Sequence, residues 1–324
     1  MSPDRELRLG TRGSQLALWQ ANTVAERLAA AGGPRCRIIV IKTSGDRLQD
    51  APLSESGGKR LFVKEIEDAL VNESIDLAVH SSKDLPVEHY RGLSVAAVLP
   101  REDPRDALVL GSGLKVPGSG FFESVEQVEE VLGHSPTVGT SSVRRTAQLS
   151  ALWPAALFLP VRGNLDTRLR KLDEGQYGAL VLAAAGLKRL GMQSRISLAL
   201  PLSACVPAPG QGIVAVEIRT DDEPVRQAVQ AISDPAAFAA LAAERAVVVG
   251  LGGGCQTPIG ALASPVDHET IELVAVVVAP DGSRIIRAAG RADIEESEEL
   301  GARIAHELIA QGAEAILAAC RERT

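Results

Sequence analysis

The chain has 324 residues, 45% of them hydrophobic and only 3% aromatic, enough for two or three domains with aliphatic cores. A formal charge of −7 argues against non-specific binding to nucleic acid, and four scattered cysteines with no Cys-x-x-Cys pair exclude a zinc site and a secreted disulfide framework. The first residues carry no apolar signal region and no run approaches a membrane span, so a cytoplasmic protein with no metal, membrane or nucleic-acid partner is expected.

In chain order, a short strand is predicted over 7–10, ending at Thr11-Arg12-Gly13-Ser14. A helix over 15–31 follows, with Leu16, Trp19, Val24 and Leu28 on its apolar positions and Gly32-Gly33 stopping it. Next come a strand over 36–41, Gly57-Gly58-Lys59-Arg60 before an amphipathic helix over roughly 62–72, and a strand over 75–79. That strand runs into His80-Ser81-Ser82-Lys83-Asp84. The β-α-β-α-β order predicts an α/β domain with a largely parallel sheet. Ligands of such sheets gather at the carboxyl ends of strands, where these polar motifs fall.

Pro100, Arg101 and Pro104 mark a hinge, and 112–135 reads as a Gly/Pro-rich surface insertion with a short acidic helix over 125–132. A second α/β set then begins with a strand over 137–139 and Thr140-Ser141-Ser142-Val143-Arg144-Arg145, which opens a helix to about 152. A strand over 156–161 leads to Arg162-Gly163-Asn164 and a helix through 172, then a strand over 179–182 and a helix near 184–190. Pro207-Ala-Pro-Gly210-Gln211-Gly212 reads as a second hinge, returning the chain to the first domain in a strand over 213–218. A helix over 234–248, strands over 271–278 and 284–289, and a final helix over 298–319 predict a small α+β domain. The expected division is 1–103 with 208–232, then 104–207, then 233–324.

The basic residues are 27 arginines against 7 lysines, and several arginines stand at helix starts beside hydroxyl or amide residues. Arg12-Gly-Ser14, Ser142-Val-Arg144-Arg145 and Arg162-Gly-Asn164-Leu-Asp-Thr-Arg168 share this form. One such motif is ordinarily a helix cap with a solvated arginine. Three of them around one cleft combine free backbone N–H groups with forked cations, a site for a molecule carrying several carboxylates or phosphates. Lys83-Asp84 differs in kind. It is either an exposed ion pair worth little, or a carboxylate that stabilises a cation and moves a proton. In Gly250-Leu-Gly-Gly-Gly-Cys255-Gln-Thr-Pro-Ile-Gly260 a thiol sits among residues without side chains, presented rather than buried.

Together these stretches resemble the porphobilinogen deaminase (hydroxymethylbilane synthase) family. The matching motifs are Thr-Arg12-Gly-Ser14-Gln-Leu-Ala-Leu, Gly-Gly-Lys59-Arg-Leu-Phe, His80-Ser-Ser-Lys83-Asp84-Leu-Pro and Gly-Thr-Ser-Ser142-Val-Arg144-Arg145. Arg162-Gly-Asn164-Leu-Asp-Thr-Arg168-Leu, Ala-Ala-Gly-Leu-Lys-Arg189-Leu and Gly-Gly-Gly-Cys255-Gln-Thr-Pro-Ile-Gly complete them, all in register. The resemblance implies two domains of periplasmic-binding-protein type plus a small C-terminal domain. It also implies a dipyrromethane cofactor joined to Cys255 by a thioether. Four porphobilinogen molecules are then condensed in turn with loss of ammonia, and water releases linear hydroxymethylbilane.

By the same resemblance Asp84 is the catalytic acid, and Lys83, Ser142, Arg144 and Arg145 hold the cofactor carboxylates. Arg12, Ser14, Lys59, Arg162, Arg168, Arg189 and Gln211 hold substrate and growing chain. A cytoplasmic monomer that passes its product to uroporphyrinogen-III synthase is implied. Arg60, the long 112–135 segment and Thr257 depart from the family pattern, and none of them touches Asp84 or Cys255.

Two other classes of protein share parts of this pattern. A two-domain polycarboxylate-binding protein without catalysis would use the arginines and hinges, but has no use for Cys255 or for Asp84 among cations. A cysteine hydrolase wants a histidine partner for Cys255, and none of the five histidines has a context that nominates it.

Overall fold

The computed structural model describes residues 6–47, 63–88, 90–111, 114, 124–254 and 257–321. Lys59, Cys255 and residues 112–113 and 115–123 of the 112–135 segment lie outside the described residues.

The first unit contains β1 (Leu7–Thr11), α1 (Gln15–Ala30), β2 (Cys36–Val40), α2 (Ser44–Arg47), α3 (Lys64–Val71), β3 (Leu77–Ser81) and β4 (Leu93–Val98). The second holds β5 (Asp106–Leu110), α4 (Val125–Leu132), β6 (Thr137–Gly139), α5 (Val143–Leu152), β7 (Leu157–Leu159), α6 (Leu165–Asp173), β8 (Ala179–Ala183), α7 (Ala184–Arg189) and β9 (Leu198–Ala199). Strand β10 (Val214–Arg219) and α8 (Glu223–Gln230) return to the first unit. The third is built of α9 (Pro235–Gly250), β11 (Ile259–Pro265), β12 (Thr270–Val278), β13 (Ile285–Asp293), α10 (Ser297–Ala310) and α11 (Ala313–Arg321).

The two five-stranded sheets have matching topology. Their orders are β2-β1-β3-β10-β4 and β7-β6-β8-β5-β9. In each, three parallel strands are followed by one antiparallel strand, β10 or β5, that arrives from the hinge. The inner parallel strands β3 and β8 are buried on both faces and so read as nearly continuous apolar runs. Helix α1 lays Ala21, Val24 and Leu28 onto Leu7 and Leu9 of the first sheet, each of these side chains 0% exposed. Burying one such leucine contributes about 1.5–3 kcal/mol. The third unit is an antiparallel sheet, β11-β12-β13, covered by α9 and α10. The chain is thus two α/β domains and a smaller C-terminal α+β domain.

The hinge strands lie against each other. Glu102 N–H donates to Gly212 O at 3.0 Å, and a Cβ on Gly212, whose φ is +87°, would stand 2.3 Å from Glu102 O. Only glycine permits that approach. The C-terminal unit is fastened at the same place. Arg101 forms a two-pronged pair with buried Glu244 of α9, both contacts 2.7 Å, and Glu244 also accepts from Gly210 N and Ala263 N.

The fold differs from the sequence expectation in several elements. Strands β4, β5, β9 and β11 and helices α2 and α8 were not predicted, and His80 belongs to β3 rather than to the loop after it. The C-terminal helix is two helices. Gly312 at φ +96° turns the chain, and its N–H donates to Ile309 O at 2.8 Å, a glycine stop that the resumed apolar pattern hides.

Candidate active site

The predicted motifs converge because each follows the carboxyl end of a parallel strand. Arg12 and Ser14 follow β1, Lys83 and Asp84 follow β3, Ser142 and Arg145 follow β6, Arg162 and Arg168 follow β7, and Arg189 closes the helix after β8. The two sheets turn these ends toward a shared cavity of about 260 Å³. Five cations line it, Arg12, Lys83, Arg145, Arg162 and Arg168, against three carboxylates, Asp46, Asp84 and Asp166.

Three helices begin at this cavity. Ser14 caps α1 by accepting from Ala17 N at 3.3 Å, and Ser142 caps α5 by accepting from Arg145 N at 3.4 Å. Asn164 stands at the start of α6 without a side-chain capping bond and faces the cavity. Capped or not, such helix starts favour anions.

The cations are held very differently. Arg12 is paired with Asp46, its Nε donating to Oδ1 at 3.2 Å, and Thr43 Oγ1 fixes the same carboxylate at 2.8 Å. This partnership holds the Asp46 carboxyl below its usual range against the opposing effect of burial. The Arg168 side chain makes one hydrogen bond among the described residues, Nε to Gly163 O at 2.8 Å. Burial first, then the charges of Arg145, Arg162 and Arg12, push its pKa down to about 10 while Asp84 opposes them. Lys83 donates to Gln211 Oε1 at 3.2 Å. Burial, then Arg145, push its pKa down to about 8, only partly offset by Asp84 and Asp106. Both are cations with too little negative charge around them, the electrostatic signature of an anion site.

Behind the cavity lies a buried counter-ion absent from the sequence-level site. Asp106, 0% exposed at the start of β5, accepts from Arg144 Nη1 at 2.7 Å, Arg145 Nε at 2.9 Å and Gln211 Nε2 at 2.9 Å. Burial would raise its pKa, but the two arginine charges win and hold it far below the usual carboxylate range. Cys205 leans on the same carboxylate, Sγ to Oδ2 3.3 Å. Its thiol, pushed up to about 12 by burial and then by Asp106, is a neutral donor and not a nucleophile.

Ser142 and Arg144 line a second pocket, and two other predicted residues, Gln211 and Arg189, line neither pocket. Gln211 is 0% exposed and engaged with Lys83, Pro104 O and Asp106. Arg189 bridges the α/β domains, donating to Gly212 O at 2.6 Å with its guanidinium 5.6 Å from the Trp19 ring centroid. Asp46 and Asp106 were missing from the predicted site. Asp46 carried a usable signal, since it lies just past the carboxyl end of a parallel strand.

A second pocket of about 80 Å³ adjoins the first through Lys83. It is lined by Ser142, Arg144, Arg245 and the residues bracketing the Cys255-Gln256 pair, Gly254 and Thr257. Ser82 Oγ is buried in its wall with no hydrogen-bond partner among the described residues. An orphaned hydroxyl, two guanidinium groups and an ammonium beside the Cys255 segment fit a covalently tethered polycarboxylate.

Known proteins agree with this reading. The family model described as porphobilinogen deaminase, dipyrromethane cofactor binding domain, matches residues 7–227, and the one described as porphobilinogen deaminase, C-terminal domain, matches 238–310. Among solved structures, the periplasmic VFT2 domain of Bordetella pertussis BvgS is 14% identical, with a TM-score of 0.40 over 71% of this chain and 86% of that one. YhfZ from Shigella flexneri is 18% identical, with a TM-score of 0.34 over 76% and 95%. Likenesses that distant carry no weight beside the family models. Because those models span both α/β units, the hinges and most of the C-terminal unit, the chain belongs to the porphobilinogen deaminase family.

Proposed function

We propose that the cavity between the two α/β domains carries out the family's reaction with Asp84 as its catalytic residue. That reaction condenses four porphobilinogen molecules head to tail, with loss of ammonia, onto a covalently bound dipyrromethane and releases linear hydroxymethylbilane by hydrolysis. The observation that carries the assignment is the setting of Asp84. It is an exposed carboxylate, with no ion pair among the described residues, where the cation-lined main cavity meets a smaller pocket that shares Arg12 with it.

When bound, the dipyrromethane supplies the pyrrole carbon onto which the first substrate is added. Cys255 would anchor it, and Lys83, Ser82, Ser142, Arg144 and Arg145 would hold its carboxylates. Arg12, Ser14, Arg162 and Arg168, with Lys59, would take the acetate and propionate of incoming substrate. Asp84 accepts hydrogen bonds from pyrrole N–H groups, stabilises the positive charge that develops as the amine leaves, and assists proton transfer. Gln211 and Arg189 act at one remove, Gln211 by orienting Lys83 and Arg189 by joining the domains.

The domain limits are 1–103 with 208–232, 104–207 and 233–324 in this reading, and a cytoplasmic monomer hands its product to uroporphyrinogen-III synthase. Among the described residues no helix is long and apolar enough to cross a membrane.

Intact-mass measurement of denatured protein, followed by peptide mapping, tests the anchor. The mass should exceed the polypeptide by two linked pyrrole units located on the Cys255 peptide, and Cys255→Ala should carry none. Pyrrole still attached to the alanine variant would move the anchor to another residue.

Lys83 gives a pH prediction. Its pKa of about 8 lies below the ordinary 10.5, so the fold gains stability as pH rises between those values while carboxylate binding weakens. Loading of cofactor-free protein with dipyrromethane should therefore weaken as pH climbs through about 8. In Lys83→Arg that alkaline limb should vanish, and a limb that persists there would assign the titration to another group.

A further inference from the structure

A third pocket, about 70 Å³, opens beside the main cavity and shares Arg12, Ser14, Leu16 and Asp84 with it. Its chemistry is the reverse of its neighbour's. Its one lysine or arginine, Arg12, is already paired with Asp46. The rest of its polar wall is Ser14, Gln20, His80, Ser81 and Asp84, a set rich in acceptors. Gln20 is 2% exposed and makes one side-chain hydrogen bond among the described residues, Nε2 to Ser81 Oγ at 2.8 Å, which leaves its amide oxygen to receive a donor. Behind the wall, His80 Nε2 meets Glu217 Oε2 at 3.1 Å, and the second oxygen of that 0%-exposed carboxylate has no partner among the described residues. Acceptors in front and a buried carboxylate behind suit a small cation that only donates.

We propose that this pocket is the leaving-group subsite, which receives the amine of porphobilinogen and holds it as ammonium. The inference rests on Asp84 standing at the reacting carbon. The step balances without another reagent. The C–N bond of the ring–CH₂–NH₃⁺ group breaks with its electron pair going to nitrogen. The C–C bond forms with the electron pair of the acceptor pyrrole, and the proton lost from that pyrrole carbon converts ammonia to ammonium. At about 70 Å³ the pocket has room for ammonium and a few waters beside it. Separating the amine from the guanidinium groups also keeps it away from the cations that would repel it.

The test is inhibition of turnover by ammonium chloride against tetramethylammonium chloride at matched ionic strength. Ammonium should inhibit the wild-type protein more strongly than the larger ion. Gln20→Leu should raise the ammonium inhibition constant about tenfold, the scale of one hydrogen bond to a charged group, and lower kcat with little change in KM. Gln20→Glu, which keeps the acceptor and adds charge, should lower that constant several-fold and so guards against a merely unstable leucine variant. The same salts compared by melting temperature give a reading independent of turnover, with ammonium the better stabiliser of wild type. Equal inhibition by both ions would overturn the proposal. So would a large rise in KM for Gln20→Leu with unchanged ammonium inhibition, which would make this a carboxylate pocket. If Asp84→Ala turned over normally, the catalytic reading would fail separately, while the ammonium discrimination would still report on the pocket.

Discussion

Asp84→Ala is expected to lower turnover by about three orders of magnitude, the combined scale of lost proton transfer and lost charge stabilisation, with the fold intact. The Asp84 carboxylate is exposed, forms no ion pair among the described residues, and sits on the short 3₁₀ turn Ser82–Asp84 after β3. That turn is closed by its backbone, Leu85 N–H to Ser82 O at 3.1 Å, so truncation leaves its shape unchanged. Exposed positions of this kind change stability by no more than about 0.5 kcal/mol. The melting temperature should therefore stay near wild type, and the Cys255 peptide should keep its dipyrromethane mass. Asp84→Glu, with its charge displaced by one methylene, should recover part of the rate. Quantifying bilane formed in a single turnover checks this, and near-normal turnover would remove Asp84 from the mechanism.

Asp106→Asn is expected to do the opposite, damaging stability first. Three side chains converge on this carboxylate through N–H donors, and Arg144 and Arg145 are only 4% and 7% exposed. Removing its charge leaves two buried guanidinium groups facing each other, and breaking a buried ion pair by one partner costs about 3–5 kcal/mol. For domains of this size the midpoint of thermal unfolding should fall by roughly 10 °C. Because the folded carboxyl titrates far below its unfolded value, its contribution is fully present above the ordinary carboxylate range and is lost only as pH falls through acid. The gap between wild type and Asp106→Asn should thus be constant from neutral to mildly basic pH. A second effect follows through Gln211, which links Asp106 to Lys83: dipyrromethane loading should fall. A variant as stable as wild type would show that the two arginines have another counter-ion.

Arg144→Leu and Arg145→Leu should impair dipyrromethane loading more than Arg189→Leu, whose side chain faces Trp19 and Gly212 O instead of a pocket wall. Intact mass after expression separates the three. Equal loading in all of them would remove the distinction between holding the cofactor and joining the domains.

Much of the molecule was legible in the order of its residues. Strand ends, helix starts and their motifs are local features, set by side-chain periodicity and by caps such as Ser14, Ser142 and Asp234. Even the return of the chain after Gly212 was readable, because Pro and Gly restrict or free the backbone wherever they stand. Strands β4 and β11 escaped because a short apolar run has no period of its own and becomes a strand only when a partner pairs with it.

What the sequence by itself determined was therefore the α/β grammar and the identity of the residues at the carboxyl ends of the strands. Only the tertiary structure decided which of their charges are free and which are matched. Arg145 meets Asp106 across 39 positions, Gln211 meets Asp106 across 105, and Arg12 meets Asp46 across 34. No local pattern encodes these pairings. The strength of a charge depends on its distance from others and on the water removed around it, and both are fixed only when separate strands are brought to one cavity.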